Sequence, residues 1–541
     1  MMTHLKQASS ARRSGGWRRW RRPAGVLLVA LLSGLLPLLG RTPRQGAAAM
    51  PAEQSALLEA TIPELQAALA AGSISSRQLV ELYLARIQAY DQQGPGLNAI
   101  SAINSHAFAE ADALDSERRA KGSRGPLHGI PVIVKDNYDT NDLQTAAGSI
   151  LFKGWIPPDD AFLVQKLRAA GAIIIAKANM HEFAWSWETL GSLFGQTHNP
   201  YALDRVPGGS SGGTGAAITA NFAAVGLGSD TCGSIRVPSA ENSLVGLRAT
   251  QGLLSRTGII PLAHTQDIGG PMGRSVTDVA TTLDALVGYD PADRETVESL
   301  GHVPASYAAF LQADSLRGAR IGVLTDLFSL DPADPAVTDV VRAAADELRG
   351  QGAEVVELSI PNLAGLISSA YSSVIVNEFK FDLDAYLAAH PSAPVHSLDE
   401  IVASGKYAPE IDSIMKRTDA METLETQDYY TKLAHRTEVR QATLTALADN
   451  GLDALVYPTV REKPVLIGEG TQTGVNCNLS AQSGLPALTV PAGFTADGIP
   501  VGMEMLGPAW SEGKLIGLAY AYEQATHHRR PPASTPALAA K

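Results

Sequence analysis

Two short apolar runs constrain this chain most. Ile130 to Val134 and Ala172 to Ala176 are rich in β-branched residues, and each follows a glycine, Gly129 or Gly171. Between them, Phe162 to Ala170 carries helical spacing and stops at Gly171. A buried strand, a helix and a second buried strand predict an α/β fold. The pattern returns later as strand Arg320 to Leu324, helix Ala336 to Arg349 and strand Glu354 to Leu358. Ala454 to Val456, Ala487 to Val490 and Gly502 to Leu506 read as closing strands, and Glu512 to Thr526 as a last helix. Thr61 to Tyr90 reads as helical, with Ser73 to Ser76 capping a second helix. Ala107 to Arg119 is another helix, Ala216 to Phe222 a further one before a strand at Ala223 to Gly228, and 360–450 is mainly helical.

The first forty-nine residues differ from the rest. They hold nine of the 43 Lys and Arg residues and no Asp or Glu. The apolar run Val26 to Leu39 follows this basic cluster, and Ala47-Ala48-Ala49 comes next. That order predicts an export signal peptide, removed on processing. The run is shorter than the roughly 20 residues of a spanning helix and is interrupted by Pro37, and no stable membrane insertion is expected after processing. The expected location is periplasmic or extracellular if the signal is cleaved, and membrane-anchored or cytoplasmic otherwise. The remainder keeps 34 basic against 55 acidic residues, a balance that disfavours nucleic acid as a partner. Neither repeat nor low-complexity linker breaks 54–530. The expected organisation is a leader at 1–49, one large domain at 50–530 and a flexible Pro- and Ala-rich tail at 531–541. The two cysteines, Cys232 and Cys477, lie far apart and read as unpaired, with Cys232 a small buried residue. No Cys/His cluster has zinc-ligand spacing.

The chemistry concentrates around Gly208-Gly209-Ser210-Ser211-Gly212-Gly213 and Asp230-Thr231-Cys232-Gly233-Ser234. A phosphate cradle is excluded because no lysine follows the glycines. Gly208 to Gly212 matches Gly-x-Ser-x-Gly, but turn residues precede it where a nucleophile elbow needs a strand. Ser413-Ile414-Met415-Lys416 lacks the Lys-Thr-Gly partner of penicillin-recognising enzymes. Lys135, at the end of the first apolar run, is the remaining candidate base, since burial lowers a lysine pKa.

Several blocks together resemble the amidase signature family. They are Gly129 to Asn137, Gly208 to Gly213, Gly228 to Ser239, Gly246 to Thr250 and Asp267 to Ser275. The resemblance runs from about residue 54 to 530 and is nearest the bacterial peptide-amidase-like branch. It implies a single large α/β domain with a mixed twisted sheet covered on both faces by helices. It also implies hydrolysis of a carboxamide to the acid and ammonia or an amine, without metal or organic cofactor. By position, Ser234 becomes the nucleophile, Ser210 (24 residues earlier) the bridging serine and Lys135 the base. The same resemblance implies a cis peptide at Gly209–Ser210 and an oxyanion hole from the backbone N–H groups of Thr231, Cys232, Gly233 and Ser234. Ser211, Asp230 and Arg236 are assigned supporting roles, and Asp267 with Arg274 a structural pair. Cys232 departs from the glycine often found at its position. His181 and His198 read as structural histidines flanking the loop. Trp185 and Trp187 fit a pocket wall or the core equally. The expected substrates are C-terminal peptide amides or small amides. The alternatives are a protein like the glutamine-hydrolysing subunit of a tRNA-dependent amidotransferase and a non-catalytic ligand-binding protein on the same scaffold. Nothing in the sequence fixes the oligomeric state.

Overall fold

Apolar strands that cannot be left in water assemble here into one continuous layer. The computed structural model describes residues 58–538, and the leader-like segment 1–49 lies outside them. The strands of the main sheet are β1 (Ile100–Ile103), β2 (Pro131–Lys135), β3 (Ile173–Ala178), β4 (Val225–Asp230), β5 (Val245–Arg248), β6 (Ile268–Gly273), β7 (Arg320–Leu324), β8 (Glu354–Leu358), β9 (Ala454–Pro458), β10 (Ala487–Phe494) and β11 (Pro500–Leu506). Their spatial order is β1-β3-β2-β4-β6-β5-β10-β11-β9-β7-β8. The strands β3, β2 and β4 run parallel, as do β9, β7 and β8, while the strands between them pair antiparallel. This is the expected large mixed α/β sheet, with helices packed against it. The central strands β2, β3 and β4 are buried along their whole length, which explains their continuous rather than alternating apolar pattern.

The helical span at the N-terminus divides in two. Ile62–Ala71 starts at a capping box between Thr61 and Glu64 and stops at Gly72, whose φ of 70° is left-handed. Ser76–Tyr90 starts at a second capping box, Ser75 with Gln78. The C-terminal segment differs from the flexible tail its composition suggests. Thr535 is buried, and the Thr535 and Pro536 carbonyls accept hydrogen bonds from the buried Arg86 guanidinium at 2.8 and 2.9 Å. A buried guanidinium needs acceptors on every side, and the tail supplies them.

A second, smaller core of Phe152, Trp155, Phe183, Phe379 and neighbouring apolar residues lies apart from the main one. It joins the loop after β3 to the helices Ile375–Ala389 and Asp412–Asp419. Those elements wall the site described next. Among the described residues, no helix is long and apolar enough to cross a membrane.

Candidate active site

Lys135 is the last residue of β2 and is fully buried. Its Nζ lies 2.7 Å from Ser210 Oγ and 2.9 Å from Ser229 Oγ, with the Ser229 carbonyl at 3.4 Å. Burial pushes the ammonium down to about 7, even though the Asp230 and Asp267 charges act in the other direction. A second buried lysine, Lys177 on β3, makes a useful contrast. It donates to the Tyr138 and Gln144 carbonyls and the Thr140 and Thr145 hydroxyls, four acceptors that fill its shell. Lys177 ties loops together, whereas Lys135 faces two hydroxyls.

Ser210 follows a cis peptide bond from Gly209. The Ser210 carbonyl accepts from the His181 N–H at 3.1 Å. Two glycines of this run are required by space. A Cβ on Gly209 would come within 2.8 Å of the Trp187 backbone, and one on Gly213 within 2.1 Å of the Asn179 carbonyl oxygen. Ser211 occupies the N-cap position of the helix Gly212–Thr219 but does not cap it. Its hydroxyl instead bridges to Ser229, donating to that carbonyl at 3.2 Å and accepting from that N–H at 3.3 Å. Thr189 takes over the cap: its Oγ1 accepts from Gly212 N–H at 3.0 Å and donates to the Gly208 carbonyl at 2.7 Å.

The turn after β4 is fixed by charge. Asp230, Arg236 and Arg248 are all fully buried, and both guanidinium groups reach the Asp230 carboxylate at 3.0 Å. Burial alone raises Asp230, but the two arginines and the turn's N–H groups hold it well below the usual carboxylate range. Arg236 also pairs with Glu504 at 2.5 Å, so its role is to hold the turn. The Gly233 N–H donates to Asp230 at 2.7 Å. This corrects the expectation of four oxyanion donors, because the Asp230 carboxylate already occupies the Gly233 N–H. Among the described residues, the N–H groups of Thr231, Cys232 and Ser234 make no protein hydrogen bond. Trp187 Nε1 donates to the Cys232 carbonyl at 2.9 Å and holds that peptide unit in one orientation.

The two cysteines are not free. Cys232 and Cys477 form a disulfide, Cα to Cα 5.0 Å, across a sequence separation of 245 residues. Separation along the chain says nothing about distance in the fold: Val475 and Asn476 pair with Val460 and Thr459 just after β9, and that pairing sets where Cys477 lies. Asp267 and Arg274 do not pair either. Asp267 accepts from Thr231 Oγ1 and from the Leu262 and Ala263 N–H groups, while Arg274 donates to the Ile218 and Ala223 carbonyls. They flank opposite ends of the six-residue β6, and seven extended residue steps separate them by roughly 23 Å.

Ser234 lines a cavity of about 730 Å³, together with Trp185, Trp187, Leu190, Val206 and Ile414. Thr231, Cys232 and His181 reach the same space. Burial and the nearby Lys135 charge push His181 down to about 3, leaving a neutral imidazole. His198 is elsewhere occupied, with Nδ1 at 2.7 Å from the Leu203 carbonyl. The structure thus brings Lys135, Ser210 and Ser211 into one hydrogen-bonded group around Ser229, and Ser234 onto the cavity. The Ser211 N–H donates to the Ser234 carbonyl at 3.3 Å, linking the two. Among the described residues, no hydrogen bond joins the Ser210 and Ser234 hydroxyls. Sequence reasoning missed Ser229, Thr189 and Arg248. Ser229 sat inside a recognised block, one residue before Asp230, and a hydroxyl at a strand end was its only signal.

A buried lysine against serine hydroxyls lies beside a turn with free N–H groups on an α/β sheet, parts that can serve nucleophilic catalysis. The amidase family model matches residues 78–516, and the chain belongs to that family. Among solved structures it is similar to the native peptide amidase of Stenotrophomonas maltophilia, at 39% identity and a TM-score of 0.82, over 88% of this chain and 99% of that one. A peptide amidase solved with the competitive inhibitor chymostatin matches at 39% identity and a TM-score of 0.81, over 88% of this chain and 99% of that one. A probable amidase of Arabidopsis thaliana is 34% identical over 88% of this chain and 91% of its own length. A glutamyl-tRNA(Gln) amidotransferase subunit of Synechococcus is 36% identical over 86% of this chain and 92% of its own.

Proposed function

We propose that this protein hydrolyses a carboxamide through an acyl-enzyme on Ser234, with Ser210 as proton bridge and Lys135 as base. One observation carries the reading: Lys135 is buried, pushed down to about 7, and 2.7 Å from Ser210 Oγ. A lysine near neutrality is unprotonated in a large share of molecules at pH 7 and can accept a proton. In the first step, Ser234 Oγ attacks the substrate carbonyl carbon while its proton passes by Ser210 to Lys135. The carbonyl oxygen becomes an oxyanion, met by the N–H groups of Thr231, Cys232 and Ser234. Collapse breaks the C–N bond, and the proton returns by Ser210 to the leaving nitrogen. Water then repeats the sequence on the acyl ester and frees Ser234. Ser211 and Ser229 hold the lysine side, and Asp230 with Arg236 holds the turn.

The cavity supports C-terminal peptide amides over short aliphatic amides. At about 730 Å³, with Trp185, Trp187 and Ile414 in its wall, it takes a ligand far larger than acetamide. Similarity to the Stenotrophomonas peptide amidase agrees with that choice. The amidotransferase reading rests on the Synechococcus relative, and copurification with tRNA and the other proteins of such a complex would favour it. The leader-like sequence and the Cys232–Cys477 disulfide support export to an oxidising compartment. Purified Ser234→Ala and Lys135→Ala, assayed on peptide, aryl, fatty and short aliphatic amides, test the mechanism and the substrate class. Full activity in either variant refutes the mechanism, and a preference for acetamide-sized substrates refutes the class.

A further inference from the structure

The turn before Ser234 is tied covalently to a distant part of the chain. Cys232 stands two residues before Ser234, and its partner Cys477 is the N-cap residue of the helix Asn478–Ser483. Those two are the only cysteines in the chain. The Cys477 carbonyl accepts from Arg236 Nη2 at 3.3 Å, so the arginine that braces Asp230 also braces the far end of the disulfide. Gly233 packs directly on the same group: a Cβ there would come 2.8 Å from Cys477 Cβ. Both cysteines line the cavity, and Cys232 is only partly buried, so a small thiol reaches the bond by the substrate's path.

We propose that the Cys232–Cys477 disulfide is a positioning element for the oxyanion turn, and that the enzyme reaches its full rate only with this bond closed. The inference rests on the reading of Ser234 as nucleophile. Three peptide N–H groups must point at one developing charge, and each is set by the backbone of residues 231–234. The Cys232 peptide unit is held at its carbonyl by Trp187, and the next N–H by Asp230. The disulfide supplies the third restraint, through the side chain of the residue that carries the central free donor. Opening it leaves that residue tethered on one side only.

Opening is ordinary thiol–disulfide exchange. A thiolate of an added dithiol attacks one protein sulfur, the S–S bond breaks, and the departing cysteine sulfur takes a proton. The second reductant thiol resolves the mixed disulfide and leaves as a cyclic disulfide, having passed two electrons and two protons to the protein. Oxidised glutathione reverses the change, leaving as two reduced molecules.

The test uses the whole enzyme with dithiothreitol, followed by desalting, a thiol titration, steady-state kinetics and a thermal melt. The expected result is two new thiols, a kcat lower by about tenfold or more and a KM little changed, measured below the onset of unfolding. Oxidised glutathione restores kcat. The double variant Cys232→Ser/Cys477→Ser matches the reduced enzyme and ignores dithiothreitol. Two new thiols with unchanged kcat overturn the proposal, as does a kcat loss that appears only where the melt shows unfolding. Thiols already titrating in fully active protein overturn it too. If the double variant does not fold, the reduction of the wild type still decides. Activity surviving in Ser234→Ala fails the parent reading instead, so the two failures are told apart.

Discussion

Replacing Lys135 by methionine separates the lysine's proton from its packing. The Lys135 side chain is wholly buried, and its pKa falls from an ordinary 10.5 to about 7. The unfolded chain therefore holds this proton more tightly than the folded one. The sign follows from linkage: stability contributed by this site is lowest below pH 7, rises between 7 and 10.5, and levels off above. One proton corresponds to about 1.36 kcal/mol per pH unit. Between pH 7.5 and 9.5, wild-type stability should rise by about 2–3 kcal/mol more than that of Lys135→Met. Other buried groups such as Lys177, also pushed down, to about 8, contribute to both curves and cancel in the difference. The hydroxyls of Ser210 and Ser229 left without Nζ lower the variant's stability at every pH and do not alter the slope. Denaturant unfolding at several pH values measures the difference, and wild-type kcat/KM should rise through an inflection near pH 7. Parallel stability curves would mean that Lys135 stays charged, and a charged lysine cannot act as the base.

Three further substitutions probe the surroundings. Gly233→Ala places a Cβ at a φ of 88° and 2.8 Å from Cys477 Cβ, so kcat should fall by about a hundredfold or more in steady-state assays. Asp230→Asn leaves two buried guanidinium groups without their shared counter-charge and should lose about 3–5 kcal/mol in denaturant unfolding. Ser211→Ala removes the hydroxyl that braces Ser229 behind Lys135, and kcat should drop about tenfold with KM held.

Much of the fold was legible where one residue type dominated an element. Strands β2 and β3 stand out because continuous β-branched runs leave no other reading, and β7, β8 and the final helix fall on the expected residues. Strands β5 and β6 were not legible. Ile268–Gly273 reads Ile-Gly-Gly-Pro-Met-Gly, composition that ordinarily signals a turn. It is nonetheless a central strand, paired on both sides, and its glycines stand where neighbours come too close for side chains: a Cβ on Gly269 would lie 2.5 Å from Tyr138 Oη, and one on Gly270 2.5 Å from the Leu247 oxygen. The site shows the same division. Lys135 and the serines carry a readable pattern, because glycine spacing around a hydroxyl is rare. The disulfide, the Trp187 hydrogen bond and Ser229 are contacts between segments far apart in the chain, which local pattern does not encode. The tail is a milder case, since Arg86 decides where residues 535–536 lie and nothing near them announces it.

The proposed mechanism stands or falls on whether Ser234 is the acylated residue. Intact-protein and peptide mass spectrometry after reaction with a fluorophosphonate answers that. A single adduct is expected on the peptide bearing Ser234, lost in Ser234→Ala and slowed in Lys135→Met. An adduct on Ser210 or Ser211 would rule out Ser234 as the nucleophile, as would full amidase activity in protein that carries no adduct after saturating probe.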